Sequence, residues 1–154
     1  MDVSIKDFEA MTVASVRHTG PYAQCKVAWE TLCNNPEVRK TFGPHSTFLG
    51  MCYDDPETTE ENQIRYDACV TIAEPAQFGG KVVVQTIPAG RYAVCVHKGS
   101  YEGLQEVYHQ IYHEWLPGSG HKPAEGPALE VYLNNPEHTP SEELLTEIRI
   151  LLEP

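Results

Sequence analysis

Residues 14–22 of this 154-residue chain, Ala14-Ser-Val-Arg-His18-Thr-Gly20-Pro-Tyr22, return at 93–101 as Ala93-Val-Cys-Val-His97-Lys-Gly99-Ser-Tyr101. Ala, His, Gly and Tyr coincide at an offset of 79. Two more segments return in the same order at an offset of 80. Met51-Cys-Tyr-Asp-Asp55-Pro56 falls on Val131-Tyr-Leu-Asn-Asn135-Pro136, and 66–72 falls on 146–152. Three matches in one order, with a single one-residue shift, mark an internal duplication. The fold must therefore be one supersecondary unit used twice, with copies at about 10–73 and 90–152.

Each copy reads as strand, helix, strand, strand. The first strand alternates, with Tyr92, Val94 and Val96 opposed to Ala93, Cys95 and His97. Gly20-Pro21 and Gly99-Ser100 stop the strands, and Pro at a first helical position or Ser at an N-cap starts a helix. Leu104, Val107, Tyr108, Ile111, Tyr112 and Trp115 then recur at spacings of three and four, predicting one continuous apolar stripe. The equivalent helix of the first copy is plainer: Cys25, Ala28, Trp29, Leu32 and Cys33. The second helix is expected to stop at Leu116-Pro117-Gly118-Ser119-Gly120, because proline and glycine both oppose continuation. Two strands close each copy across an acidic loop at 54–61 or 134–143, each opened by an Asx-Asx-Pro turn signal. Short strands at 3–8 and 81–87 lead into the two copies. The expected architecture is α+β in a single domain, 1–154. Antiparallel strands and two long helices would be arranged about a pseudo-two-fold axis.

Charge and composition narrow the function. The net charge is −11, and only 11 Lys and Arg are scattered through the chain. Nucleic-acid binding draws on basic patches that neutralise phosphate, so direct DNA or RNA contact is not expected. An acidic field attracts cations. No apolar run approaches the ~18 residues of a membrane span, and the N-terminus lacks the pattern of a secretory signal. The five cysteines are odd in number and unpaired in spacing, which fits reduced thiols in a cytosolic protein. No metal or other cofactor is expected. His109 and His113 stand at i, i+4 on the second helix, but without an HExxH pattern they read as surface histidines. His18 and His97 recur at equivalent strand ends and read as groups that cap or pack the strand–helix turn.

One residue departs from its surroundings. Pro127-Ala-Leu-Glu130-Val-Tyr-Leu133 is otherwise an apolar strand. Alternation places Leu129, Val131 and Leu133 on one face and Ala128, Glu130 and Tyr132 on the other. Burying an unpaired carboxylate costs several kcal/mol. Either the face of Glu130 is solvated, or it pairs with an arginine such as Arg91 or Arg149, or it awaits a cation. At the duplication offset Glu130 corresponds to Gly50, while Phe48 and Cys52 correspond to Ala128 and Tyr132. If the copies approach each other there, the glycine leaves room. A cavity would form, walled by Phe48, Tyr132, Tyr112 and Trp115, with one carboxylate inside. Aromatic faces and one anion suit a lipophilic cation.

Ile87-Pro-Ala-Gly-Arg-Tyr-Ala-Val-Cys-Val-His97-Lys-Gly, Glu114-Trp-Leu-Pro-Gly-Ser-Gly120 and Glu130-Val-Tyr-Leu-Asn-Asn-Pro136 resemble the GyrI-like family. The resemblance covers nearly the whole chain, and Tyr66-Asp67-Ala-Cys resembles the family's motif in the first copy. It implies binding of lipophilic, often cationic drugs and dyes in a cleft between the copies, with Glu130 as the central glutamate. Members that activate transcription carry an added helix-turn-helix domain, which this sequence does not show. Other members resemble hydrolases that open cyclopropane rings, or are tied to gyrase inhibition.

Three functions are therefore weighed. The first is a stand-alone binding module with Glu130 as counter-ion and Gly50, Phe48, Tyr112, Trp115 and Tyr132 around it. The second is a hydrolase in which Glu130 acts as general base on water and a tyrosine donates a proton. No nucleophile elbow or Cys-His pair favours covalent catalysis. The third is a protein-interaction role with a partner such as gyrase, for which no motif speaks. The binding module is the expectation.

Overall fold

The computed structural model describes residues 2–154. Among these residues eight strands run in chain order: β1 (Ser4–Phe8), β2 (Met11–Thr19), β3 (Phe48–Cys52), β4 (Arg65–Thr71), β5 (Val83–Ile87), β6 (Gly90–Lys98), β7 (Ala128–Tyr132) and β8 (Leu145–Leu151). The helices are α1 (Lys26–Asn34), α2 (Pro36–Arg39), α3 (Leu104–Gln110) and α4 (Leu116–Ser119). The fold class is α+β with antiparallel pairing throughout the strands described below. The chain divides into two compact units, one of Glu9–Ala89 and one combining the N-terminal strand with Gly90–Pro154.

In the Glu9–Ala89 unit the strand order is β3-β4-β2-β5. Ala14 and Val16 of β2 and Tyr66, Ala68 and Val70 of β4 turn one face toward Ala28 and Leu32 of α1 and Val38 of α2. In the other unit the order is β1-β6-β8-β7. There Ala93, Cys95, Ile148 and Ile150 meet Leu104, Ile111 and Leu116. Each buried Leu or Ile contributes roughly 1.5–3 kcal/mol, which is why the period-two strands and the helix stripes lock together.

The copies match residue by residue in local structure. β2 and β6 both have nine residues, β3 and β7 five, β4 and β8 seven. The Asx-Asx-Pro loops fold alike. Asp55 Oδ1 accepts from the Glu57 N–H at 2.8 Å, and Asn135 Oδ1 accepts from the Glu137 N–H at 2.8 Å. At both strand–helix turns a histidine ring nitrogen lies 2.9 Å from a carbonyl, His18 to Pro21 and His97 to Ser100. The helices there begin with one tight 3₁₀ turn, and neither Pro21 nor Ser100 caps it through a side chain. The histidines take that anchoring role instead.

Two features lay outside the sequence reading. First, each lead-in strand pairs with the copy that it does not precede. β1 pairs with β6, from Ser4↔Val94 to Phe8↔Gly90, and β5 pairs with β2, from Met11↔Ile87 to Ser15↔Val83. Side chains explain the choice. The Phe8 ring meets Tyr92 edge-on at 5.7 Å and lies 3.8 Å under the Arg149 guanidinium. Gln85 of β5 donates to Ser15 Oγ at 2.7 Å and to Asp67 at 2.9 Å.

Second, the helix widens before it reaches its end. Between α3 and α4 lies a π turn, Ile111–Trp115, in which the Leu116 N–H bonds the Ile111 carbonyl. Proline lacks an N–H and crowds the carbonyl four residues back, so it is tolerated only in the first turn of a helical segment. The π turn places Pro117 in the first turn of α4. The helix then continues to Ser119 and ends at Gly120, whose φ of +78° suits glycine at a helix C-terminus. One extra residue in the turn also shifts the stripe. Ile111 and Leu116, five apart, are the buried pair.

Candidate functional site

Glu130 is the middle residue of β7, where it pairs with Ile148 of β8, and it is buried. Its Oε2 accepts the Tyr108 hydroxyl at 2.7 Å, and its Oε1 accepts the Tyr132 hydroxyl at 2.9 Å. Tyr132 sits two residues on along the same face, and Tyr108 reaches across from α3. Each hydrogen bond to a charged acceptor is worth roughly 1.5–3 kcal/mol, which offsets the cost of placing a carboxylate in an apolar layer. Tyr101 adds a third ring, edge-on to Tyr132 at 5.6 Å. A carboxylate is thus held in one orientation by two phenols and surrounded by aromatic surface.

The arginines offered as counter-ions are engaged elsewhere. Arg149 pairs with Glu147 at 2.6 Å, and Arg91 lies 3.5 Å from Asp7. The β7–β8 register explains this. Arg149 is opposite Leu129, on the face turned away from Glu130.

The same place in the first copy is wired differently. Gly50 is the middle residue of β3, and a Cβ there would collide with the ring and hydroxyl of Tyr66. The phenol of Tyr66 thus lies over Gly50 within the same unit. Tyr66 Oη accepts the Trp29 indole N–H at 3.1 Å. Trp29 and Tyr108 are equivalent at offset 79, and Tyr66 and Thr146 at offset 80. In both copies a helix aromatic donates to a polar group above the middle strand residue. In one that group is a tyrosine hydroxyl arriving from β4, in the other a glutamate rising from β7 itself.

The remaining candidates fall in different settings. Phe48, in the same unit as Gly50, meets Phe42 at 5.3 Å and Trp29 at 6.3 Å. Trp115 packs on the core of its own unit and stacks on the His121 ring at 6.3 Å, with the planes 6° apart. Tyr112 is 39% exposed on the helix surface. Tyr108 is the residue that sequence reasoning left in the helix stripe. Its signal was the equivalence with Trp29, read together with a glutamate on the facing strand.

A second buried carboxylate, Asp67, has a different character. It receives Arg17 at 2.5 Å, Tyr53 at 2.7 Å and Gln85 at 2.9 Å. Burial pushes its pKa up, but the hydrogen bonds from Arg17, Gln85 and Tyr53 outweigh that and hold it below the usual carboxylate range. Burial, reinforced by Asp67, pushes the Tyr53 phenol well up. Asp67 is an ion-paired structural group. Cys69 beside it is fully buried, and burial drives its thiol far from reactivity. His109 and His113 are exposed, with ring centroids 4.5 Å apart. Among the described residues no helix is long and apolar enough to cross a membrane.

An α+β scaffold of repeated β-α-β-β units, with a buried glutamate presented among phenols, is the architecture of a small-molecule-binding domain. The chain belongs to the GyrI-like family of small-molecule-binding domains, whose sequence profile matches residues 1–153. It is similar to the DNA gyrase inhibitor of Serratia proteamaculans (strain 568), with 32% identity over 148 residues, covering 89% of this chain and 90% of that protein. In fold it is similar to the EcmrR C-terminal domain, with a TM-score of 0.79 and 23% identity, covering 99% of this chain and 97% of that one. The chain spans 57% of the longer EcmrR chain seen in a DNA complex. SAV2435 bound to tetraphenylphosphonium is also similar in fold, with a TM-score of 0.69 and 19% identity, covering 99% of this chain and 94% of that one.

Proposed function

We propose that this domain binds lipophilic cations, with Glu130 as the counter-ion and Tyr108 and Tyr132 as the groups that orient it. The observation that carries the reading is the pair of phenolic hydrogen bonds on a buried carboxylate. A cation beside that carboxylate gains Coulomb energy in a medium less polar than water, and the rings add attraction through their quadrupoles. The tetraphenylphosphonium bound to the structurally similar SAV2435 is a molecule of this class. Tyr101, edge-on to Tyr132, adds aromatic surface for the apolar part of such a ligand.

Glu130→Gln tests the reading. The amide keeps the shape, its oxygen accepting one tyrosine hydroxyl and its NH2 donating to the oxygen of the other, so the folded state should survive with little change in melting temperature. Removing one charge of a buried pair costs about 2–5 kcal/mol of binding. Affinity for tetraphenylphosphonium should therefore fall at least about 30-fold in a fluorescence or calorimetric titration, while a neutral tetraphenyl isostere is unaffected. Unchanged phosphonium affinity would rule out Glu130 as the counter-ion.

A further inference from the structure

Thr146 is fully buried in β8, and its Oγ1 has no hydrogen-bond partner, the sole such buried side-chain oxygen or nitrogen among the described residues. A buried hydroxyl without a partner is costly, and native proteins keep few of them. Valine would fill the same branched shape without that cost, so the hydroxyl calls for an account.

Its position supplies one. In the β7–β8 register Thr146 is opposite Tyr132, two pairs along from Glu130↔Ile148, so it shares their face and stands diagonal to Glu130. The first copy shows where a side chain from this position goes. There Tyr66 is opposite Cys52, diagonal to Gly50, and its ring lies directly over Gly50. Thr146 is the shortened counterpart of that tyrosine, on the same face as Glu130 and diagonal to it.

We infer that Thr146 sets specificity at the Glu130 site, and that the ligands selected are protonated amines rather than permanently charged quaternary cations. The inference rests on Glu130 acting as counter-ion. Coulomb attraction and the aromatic rings treat the two kinds of cation alike. Only a protonated amine carries an N–H that can donate to the Thr146 oxygen, as well as forming a charge-assisted bond to a carboxylate. A quaternary nitrogen or phosphonium leaves the hydroxyl as it is, buried and unsatisfied.

A matched pair of probes separates the terms. 1-Naphthylmethylamine is protonated at pH 7 and carries N–H groups enough for both acceptors, and its N,N,N-trimethyl quaternary salt has the same ring and charge without an N–H. Calorimetric titration of the full chain should show roughly tenfold preference for the amine. Thr146→Val should reduce that preference by weakening the amine alone, and should hold or raise the melting temperature. Thr146→Ser, which keeps the hydroxyl, should retain the preference. Thr146→Ala gives the same readout as Thr146→Val if the valine variant does not fold. A preference undiminished by the loss of the hydroxyl, or equal weakening of both probes, overturns the inference. If Glu130→Gln weakens both probes while Thr146→Val leaves the preference intact, only the role of Thr146 fails. If Glu130→Gln binds both probes as the wild type does, or the wild type binds neither, the counter-ion reading fails and takes this inference with it.

Discussion

Gly50 with Tyr66 and Glu130 with Thr146 occupy the same two sites of a repeated strand pair, with bulk moved from one strand to the other. In the first copy the large residue comes from β4 and the middle of β3 must be glycine. In the second the large polar residue stands on β7 and its diagonal neighbour on β8 must be small. This coupling is measurable. Gly50→Ala should destabilise by about 1–3 kcal/mol, the usual cost of overpacking a closed site. Tyr66→Thr should destabilise too, by leaving a cavity and depriving Trp29 of its acceptor. The double variant should lose less than the sum of the two, because the methyl then meets no ring. Urea denaturation of the four proteins gives the coupling energy, and strict additivity would show that the two sites are not exchanging volume. At this scale the sequence made Glu130 conspicuous, since a charge in an apolar strand needs compensation. It did not reveal Tyr66 over Gly50, because a diagonal contact between strands depends on register, and register is not visible before pairing. Tyr108 was hidden for a different reason. An aromatic at helical spacing looks the same whether it fills a core or donates to a carboxylate.

The strands show alternation plainly, and β6 and β7 follow the expected faces. The second helix is less transparent. A stripe at spacings of three and four runs on through Tyr112 and Trp115, and nothing in that pattern announces that the helix widens by one residue at Ile111–Trp115. Pro117 was the available clue, read as a stop rather than as the reason for a π turn. The widened turn decides which side chains stabilise the fold. Leu116 is buried and Tyr112 is substantially exposed. Leu116→Ala should therefore cost about 2–5 kcal/mol, as core leucine truncations do. Tyr112→Ala should cost less than about 1 kcal/mol in the same denaturation series. Similar losses at both positions would mean that the helix keeps regular α-helical packing in solution. π turns interrupt helices most often at functional sites, and this one immediately follows the helix that carries Tyr108.

At the scale of the whole molecule the duplication was legible because paired segments repeat at a constant offset, whereas the partner choice of β1 and β5 was not. Both strands are short and lie next in sequence to one copy, yet Phe8 and Gln85 find their contacts in the other. Charge is the other whole-molecule property, and it bears on how a ligand arrives. With 22 acidic residues against 11 Lys and Arg, the protein presents a negative field in which Glu130 is one contributor among many. Long-range attraction governs the association rate, while a buried counter-ion governs how long the ligand stays. Raising ionic strength from about 0.01 M to 0.1 M shortens the Debye length from about 30 Å to about 10 Å. The association rate of a lipophilic cation, followed by stopped-flow fluorescence, should fall several-fold over that range, and that of a neutral isostere should stay flat. Glu130→Gln removes only one of the 22 acids, so its association rate should keep nearly the same salt dependence while its dissociation rate rises. A variant whose association slows and whose dissociation does not change would place the charge of Glu130 in the steering field rather than against the bound cation.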